Sequence, residues 1–259
     1  MRTFHLAFAS YGRQHPFPGQ VELRAAIHRL ARVAGQRLVL FGIAAEQAHV
    51  LLHCSRPTAG LLSRAILKSL RAVAGPVGLE PARLQPVVDA DHLLWLHDYL
   101  IQLPLRTGAP SPLALWEGGP LPDLLGARWV PGFSQRLTAL LPGYDPAHAC
   151  RLAGLTGPPA PLPPHQARLL GIGRIGAASA AAMAAPPSLS GRSNPEVLAR
   201  RAAARLARGA GLPPSELSFA FRQTRRTAYR LATAPLPDAA LAALQLRLGL
   251  EVASARLSA

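Results

Sequence analysis

The chain has 259 residues, 49% of them hydrophobic, which is enough for a medium-sized core and a second, smaller one. No apolar run reaches the ~18 residues of a membrane span, and two distant cysteines, Cys54 and Cys150, exclude a CxxC zinc motif or a disulfide framework. The formal net charge of +15, carried by arginine except for Lys68, directs attention to phosphate polymers or anionic lipid as partners.

The opening MRTFHLAFASYG has too short an apolar stretch for a secretion signal, and the thiols read as cytosolic, so a cytoplasmic location is expected. Residues 3–10 alternate as a strand, and YGRQHPFPGQ follows as a loop. QVELRAAIHRLARVA (20–34) has apolar residues at helical spacing, stopped by Gly35. RLVLFGIAA (37–45) and QAHVLLHCS (47–55) read as neighbouring strands. Thr58 is the expected cap of a helix over 59–74, ended by Gly75-Pro76. LQPVV (84–88) reads as a short strand, with Pro86 placing it at a sheet edge. Asp89 or Asp91 caps a helix through HLLWLHDYLIQL, which Pro104 is expected to close. Small helices and loops fill 113–156.

This order of strand, helix, strand, strand, helix, strand predicts an α+β fold: a ferredoxin-like antiparallel sheet with helices on one face. The expected domains are 1–155, a proline-rich linker at 156–164, and a basic helical region at 165–259. Residues 157–259 hold thirteen arginines against Glu196, Glu216, Asp238 and Glu251. Asn194-Pro195-Glu196 starts a helix ended by Gly209. LPPSELSFAF starts a short second one, and RQTRRTAYRLAT follows after a break. That pattern predicts a small all-α region resembling helix-turn-helix, with Arg225, Arg226, Tyr229 and Arg230 facing phosphates or base edges.

GIGRIG (171–176) matches the dinucleotide fingerprint GxGxxG, but no strand precedes it. It reads as a chance match in an Ala/Gly-rich stretch. In the third helix, Tyr99 sits at the edge of a stripe made by Leu93, Leu94, Leu96, Leu100 and Leu103. A tyrosine phenol can attack a phosphodiester and form a covalent link, usually with a divalent metal polarising the phosphate.

Tyr99-Leu-Ile-Gln-Leu-Pro104-Leu-Arg106-Thr-Gly108 resembles the tyrosine-to-glycine signature of REP-associated tyrosine transposases, a branch of the single-tyrosine HUH transposases. Pro104, Arg106 and Gly108 fall in register, LALWEGGPLPDLLGARW (113–129) resembles the continuation, and the likeness covers about residues 1–150. The resemblance implies a protein that cleaves and joins single-stranded or hairpin DNA. Tyr99 would be the nucleophile and Arg106 a DNA contact, and Mg²⁺ or Mn²⁺ would be the cofactor. The family's paired histidines fall on Gln47 and His49, which share a strand face about 7 Å apart. Its third ligand, an amide, falls on Leu103. With the site so altered, the alternative is a catalytically inactive, domesticated DNA-binding protein or regulator. Either would be a monomer or homodimer without membrane attachment.

Overall fold

A computed structural model describes residues 1–75, 77–108, 112–131, 137–141 and 144–256. They divide into two compact units, Met1–Leu124 with Pro131–Pro158, and Leu125–Val130 with Pro159–Ala259.

The first unit is built on β1 (Arg2–Ala9), α1 (Gln20–Ala34), β2 (Leu38–Ile43), β3 (Gln47–Cys54), α2 (Arg56–Ala74), β4 (Arg83–Pro86) and α3 (Ala90–Arg106). The strands form one antiparallel sheet of order β2-β3-β1-β4, the ferredoxin-like arrangement. Pro86 sits in the edge strand β4, where its missing N–H costs no ladder bond. Alternation sorts the strand residues onto two faces. Phe4, Leu6, Phe8, Ala48, Val50 and Leu52 are buried on one, beneath α1 and α2, which pack side by side. The other face carries His5, His49 and Leu51, and α3 lies over it. Leu51 joins Leu93, Leu96, Leu100 and Leu103 in one apolar cluster, whereas Leu94, expected in the same stripe, is turned to solvent one residue round the helix from Leu93. The short helices α4 (Leu121–Leu124), α5 (Leu137–Leu140) and α6 (Pro146–Leu152) complete this unit. Inside it Arg24 forms a two-pronged ion pair with Glu117, at 2.5 Å for both bonds, and both residues are buried.

Two helix ends differ from expectation. Ser55, not Thr58, caps α2: its hydroxyl accepts from the Thr58 backbone N–H, so the helix starts a turn earlier. Pro104 does not close α3, which continues to Arg106. In the last turn proline removes only one bond, and the Thr107 hydroxyl donates to the Leu103 and Pro104 carbonyls there. Asp89 is the α3 cap, accepting from His92 N at 2.8 Å. Gly75 ends α2 with φ 64°, while its neighbour Pro76 lies outside the described residues.

The second unit is all-helical: α7 (Pro164–Ala182), α8 (Asn194–Gly209), α9 (Pro214–Ala220), α10 (Arg225–Thr233) and α11 (Asp238–Ala255). Alanines dominate its core, among them Ala178, Ala182, Ala199, Ala203 and Ala228, which lets α7 and α8 pack closely. GIGRIG lies within α7, where Gly171 makes a kink with φ 73° and ψ 166°. The acid that follows it, Glu196, is committed to the start of α8. It accepts from Gly191 N at 2.7 Å, Ser193 N at 3.3 Å and Ser193 Oγ at 2.6 Å. Ser193 is therefore the cap residue, one position before the expected Asn194. Among the described residues no helix is long and apolar enough to cross a membrane.

Candidate functional site

The sheet face under α3 brings the sequence-predicted residues together. Gln47 and His49 lie two apart on β3 and share that face, and β1 places His5 beside them, in the register Ala7↔His49 and His5↔Leu51. On β2, Gly42 pairs with His49. A Cβ at Gly42 would stand 2.9 Å from Leu100 Cδ2 and 3.1 Å from Leu103 Cδ2, so only glycine lets α3 come this close. That approach sets Tyr99 against His49.

A chain of three side chains results. His5 Nε2 is 3.0 Å from His49 Nδ1, and His49 Nε2 is 3.4 Å from the Tyr99 hydroxyl. The His5 and His49 rings stack, and the Tyr99 ring meets His49 edge-on with centroids 5.3 Å apart. Arg106 holds its guanidinium 5.3 Å from the Tyr99 ring centroid. Trp95, one helical turn before Tyr99, stacks on its ring at 5.5 Å and is 60% exposed.

Burial disfavours charge throughout this chain. His49 is pushed down to about 3, first by burial and then by His5, and His5 to about 4, by burial and then by His92. Both are neutral at pH 7. Burial also raises the Tyr99 phenol, with Arg106 opposing it. A neutral His49 has one donor and one acceptor nitrogen. In one direction the Tyr99 hydroxyl donates to His49 Nε2 and His49 Nδ1–H donates to His5. In the other, His5 donates to His49, which donates to Tyr99. The first direction points the phenolic proton at a base.

The divalent ion implied by the resemblance does not fit these residues. Leu103, at the third ligand position, is buried in the leucine cluster and offers no donor. His49 already uses both ring nitrogens, which leaves the Gln47 amide as the remaining donor of the expected set. One imidazole and one neutral amide are a poor set for a hard ion such as Mg²⁺, which favours carboxylates.

In the second unit Arg225, Arg226, Tyr229 and Arg230 are all exposed on α10, while Ala228 and Ala232 face the core. Thr224 caps this helix by accepting from Thr227 N, after the short break at 221–224. Arg208 stacks over Tyr229 at 5.3 Å. Two other α8 arginines are turned to structural work instead. Arg205 donates to the Ala232 and Ala234 carbonyls at the end of α10, and Arg200 donates to the Leu189 and Gly191 carbonyls. So the charge of this region overstates the number of arginines free on its surface.

Two residues escape sequence reading as parts of the site. His5 could be placed on the sheet face, but its pairing with His49 depends on strand register. Trp95 has a signal, its spacing of four before Tyr99, which puts both on one helix face. No protein-family model and no curated protein matches the chain. Among solved structures, it is similar to a REP-associated tyrosine transposase bound to a REP hairpin. The identity is 17% and the TM-score 0.38, over 44% of this chain and 73% of that one.

Proposed function

We propose that this chain is a transposase-like DNA-binding protein that acts on single-stranded or hairpin DNA through Tyr99. The observation that carries the reading is the Tyr99 hydroxyl 3.4 Å from His49 Nε2, with Arg106 over the tyrosine ring. A nucleophile beside a base, with the base held by a third group, is the arrangement covalent catalysis needs.

In this reading the Tyr99 oxygen attacks a backbone phosphorus and the phenolic proton passes to His49 Nε2. The bond from phosphorus to the 3′ oxygen breaks, and that oxygen takes up a proton and leaves as a 3′-hydroxyl. The other product is a 5′-phosphotyrosine link. A phosphodiester anion at the site favours the charged imidazole, offsetting the burial that holds His49 low. Arg106 neutralises the phosphate, and exposed Trp95 offers a flat surface on which a base can stack. Arg225, Arg226, Tyr229 and Arg230 hold the flanking DNA. Mg²⁺ or Mn²⁺ enters no step in this reading.

The test is a cleavage assay on end-labelled single-stranded hairpin DNA, with Mn²⁺ and with a chelator, comparing the natural chain with Tyr99→Phe. A covalent protein–DNA adduct is expected from the natural chain alone. Its absence from both proteins, with DNA still bound, would favour the second reading, a binding protein without catalysis. The burial of Leu103 at the expected ligand position is the observation behind that reading.

A further inference from the structure

Away from the His49 face, α3 and α6 bring three other metal-ligating groups together. His97 Nδ1 is 2.7 Å from Asp98 Oδ1, and His148 Nε2 is 3.1 Å from both carboxylate oxygens of Asp98. One ligand atom from each residue lies within 4.8 Å of the others. We propose that His97, Asp98 and His148 form a binding site for a divalent transition-metal ion of the Zn²⁺ class, tying α6 to the helix that carries Tyr99.

The geometry is close to that of an ion's coordination shell. Ligand atoms about 2.0–2.2 Å from a metal stand roughly 3–3.4 Å from one another. The contacts on Asp98 are already near that spacing, so a small outward adjustment admits the ion. Two imidazoles and one carboxylate favour Zn²⁺ and its neighbours over Mg²⁺ or Ca²⁺.

His97 is held for this role. It is completely buried, with its ring edge-on to Tyr144 at 5.3 Å and stacked on His148 at 6.2 Å. Its other nitrogen, Nε2, has no hydrogen-bond partner. The ion would sit on Nδ1 and leave Nε2 as it is, so what marks the residue out is a polar ring kept at a fully buried position of a leucine-rich helix. The Asp98 and His148 side chains are each about one-third exposed, at 33% and 38%. Solvent therefore reaches the site, which gives the ion an entry path and a position for bound water. Asp98 and Tyr99 leave α3 about 100° apart, so the site is separate from the His49 chain.

The test is calorimetric titration of the chelator-treated full chain with Zn²⁺, supported by the visible absorption of Co²⁺ in its place. One ion per chain is expected, with a rise in melting temperature. Loss of outer-shell partners alone costs a metal site about 10–100-fold, so His148→Ala and Asp98→Asn should each weaken binding by at least ~100-fold. His49→Ala should leave it unchanged. Circular dichroism checks the fold of each variant. If Asp98→Asn does not fold, His148→Ala, on the exposed rim, decides alone. Binding weaker than about 1 mM in the natural chain overturns the proposal. So does binding unaltered in His148→Ala, or lost in His49→Ala but kept in His148→Ala.

Discussion

His5 Nε2 lies 3.0 Å from His49 Nδ1 with the two rings stacked, so a half-buried and a buried imidazole face each other between β1 and β3. Neither can take a proton cheaply. Their folded values, about 4 and about 3, are below the ordinary 6.5. Between those limits the unfolded chain binds more protons than the folded one. Stability from this pair is therefore complete above pH 6.5 and is lost as the pH falls through 6.5 toward 4 and 3. Each unit of separation corresponds to ~1.4 kcal/mol. Urea denaturation at pH 7, 6, 5 and 4.5 should show that decline, and His5→Phe should flatten it. A natural chain equally stable at pH 7 and 4.5 would contradict the assignment.

Gly42 is where α3 rests on β2. Gly42→Val puts carbon where Leu100 and Leu103 now lie, and overpacking of this kind costs about 1–3 kcal/mol. The two leucines must turn aside or the helix must lift, and lifting carries Tyr99 away from His49. Adduct formation should therefore fall much further than DNA affinity. Parallel gel and binding assays on Gly42→Val read both quantities, and equal losses would count against the packing argument.

Arg24 and Glu117 are paired in the interior of the first unit. Arg24→Ala removes both charged bonds from Arg24 to a buried carboxylate, at a cost of up to about 3–5 kcal/mol. A double replacement by apolar residues of similar volume should recover much of that loss. Denaturant midpoints of the two variants separate the outcomes. A single variant with natural stability would mean that Glu117 finds other partners.

On α10 the exposed arginines predict a salt signature. Removing one phosphate contact lowers the slope of log affinity against log salt by about 1. Arg225→Ala with Arg226→Ala should reduce affinity for all DNA sequences alike and lower that slope by about 2. Arg205→Ala, whose guanidinium holds the end of α10, should instead act through stability. Fluorescence anisotropy over a range of salt, with thermal melts, tells the two classes apart.

Much of the framework was legible before any coordinates. Period-two alternation marked a strand over 3–10, β-branched and apolar content marked one over 47–55, and helical spacing and end signals marked helices over 20–34, 59–74 and 92–103. The order of those elements specified the antiparallel sheet. Helix ends were less legible, because Ser55, Thr58, Ser193 and Asn194 are all competent caps and backbone geometry selects among them. Pro104 misled for a related reason: its penalty depends on how many turns follow it.

By itself, the sequence determined the two-part organisation of charge and the face on which Gln47 and His49 sit, since both follow from composition and local spacing, while Tyr99 stood out only through the resemblance of its segment to a transposase signature. Tertiary structure alone decided which side chains meet. His5 reaches His49 through the β1–β3 register, Tyr99 reaches it because Gly42 lets a helix come close, and Asp98 meets His148 across fifty residues of chain. Local propensity reaches only a few residues along the backbone. Hydrogen-bond register and core packing act between segments far apart in sequence, and they decide which side chains meet.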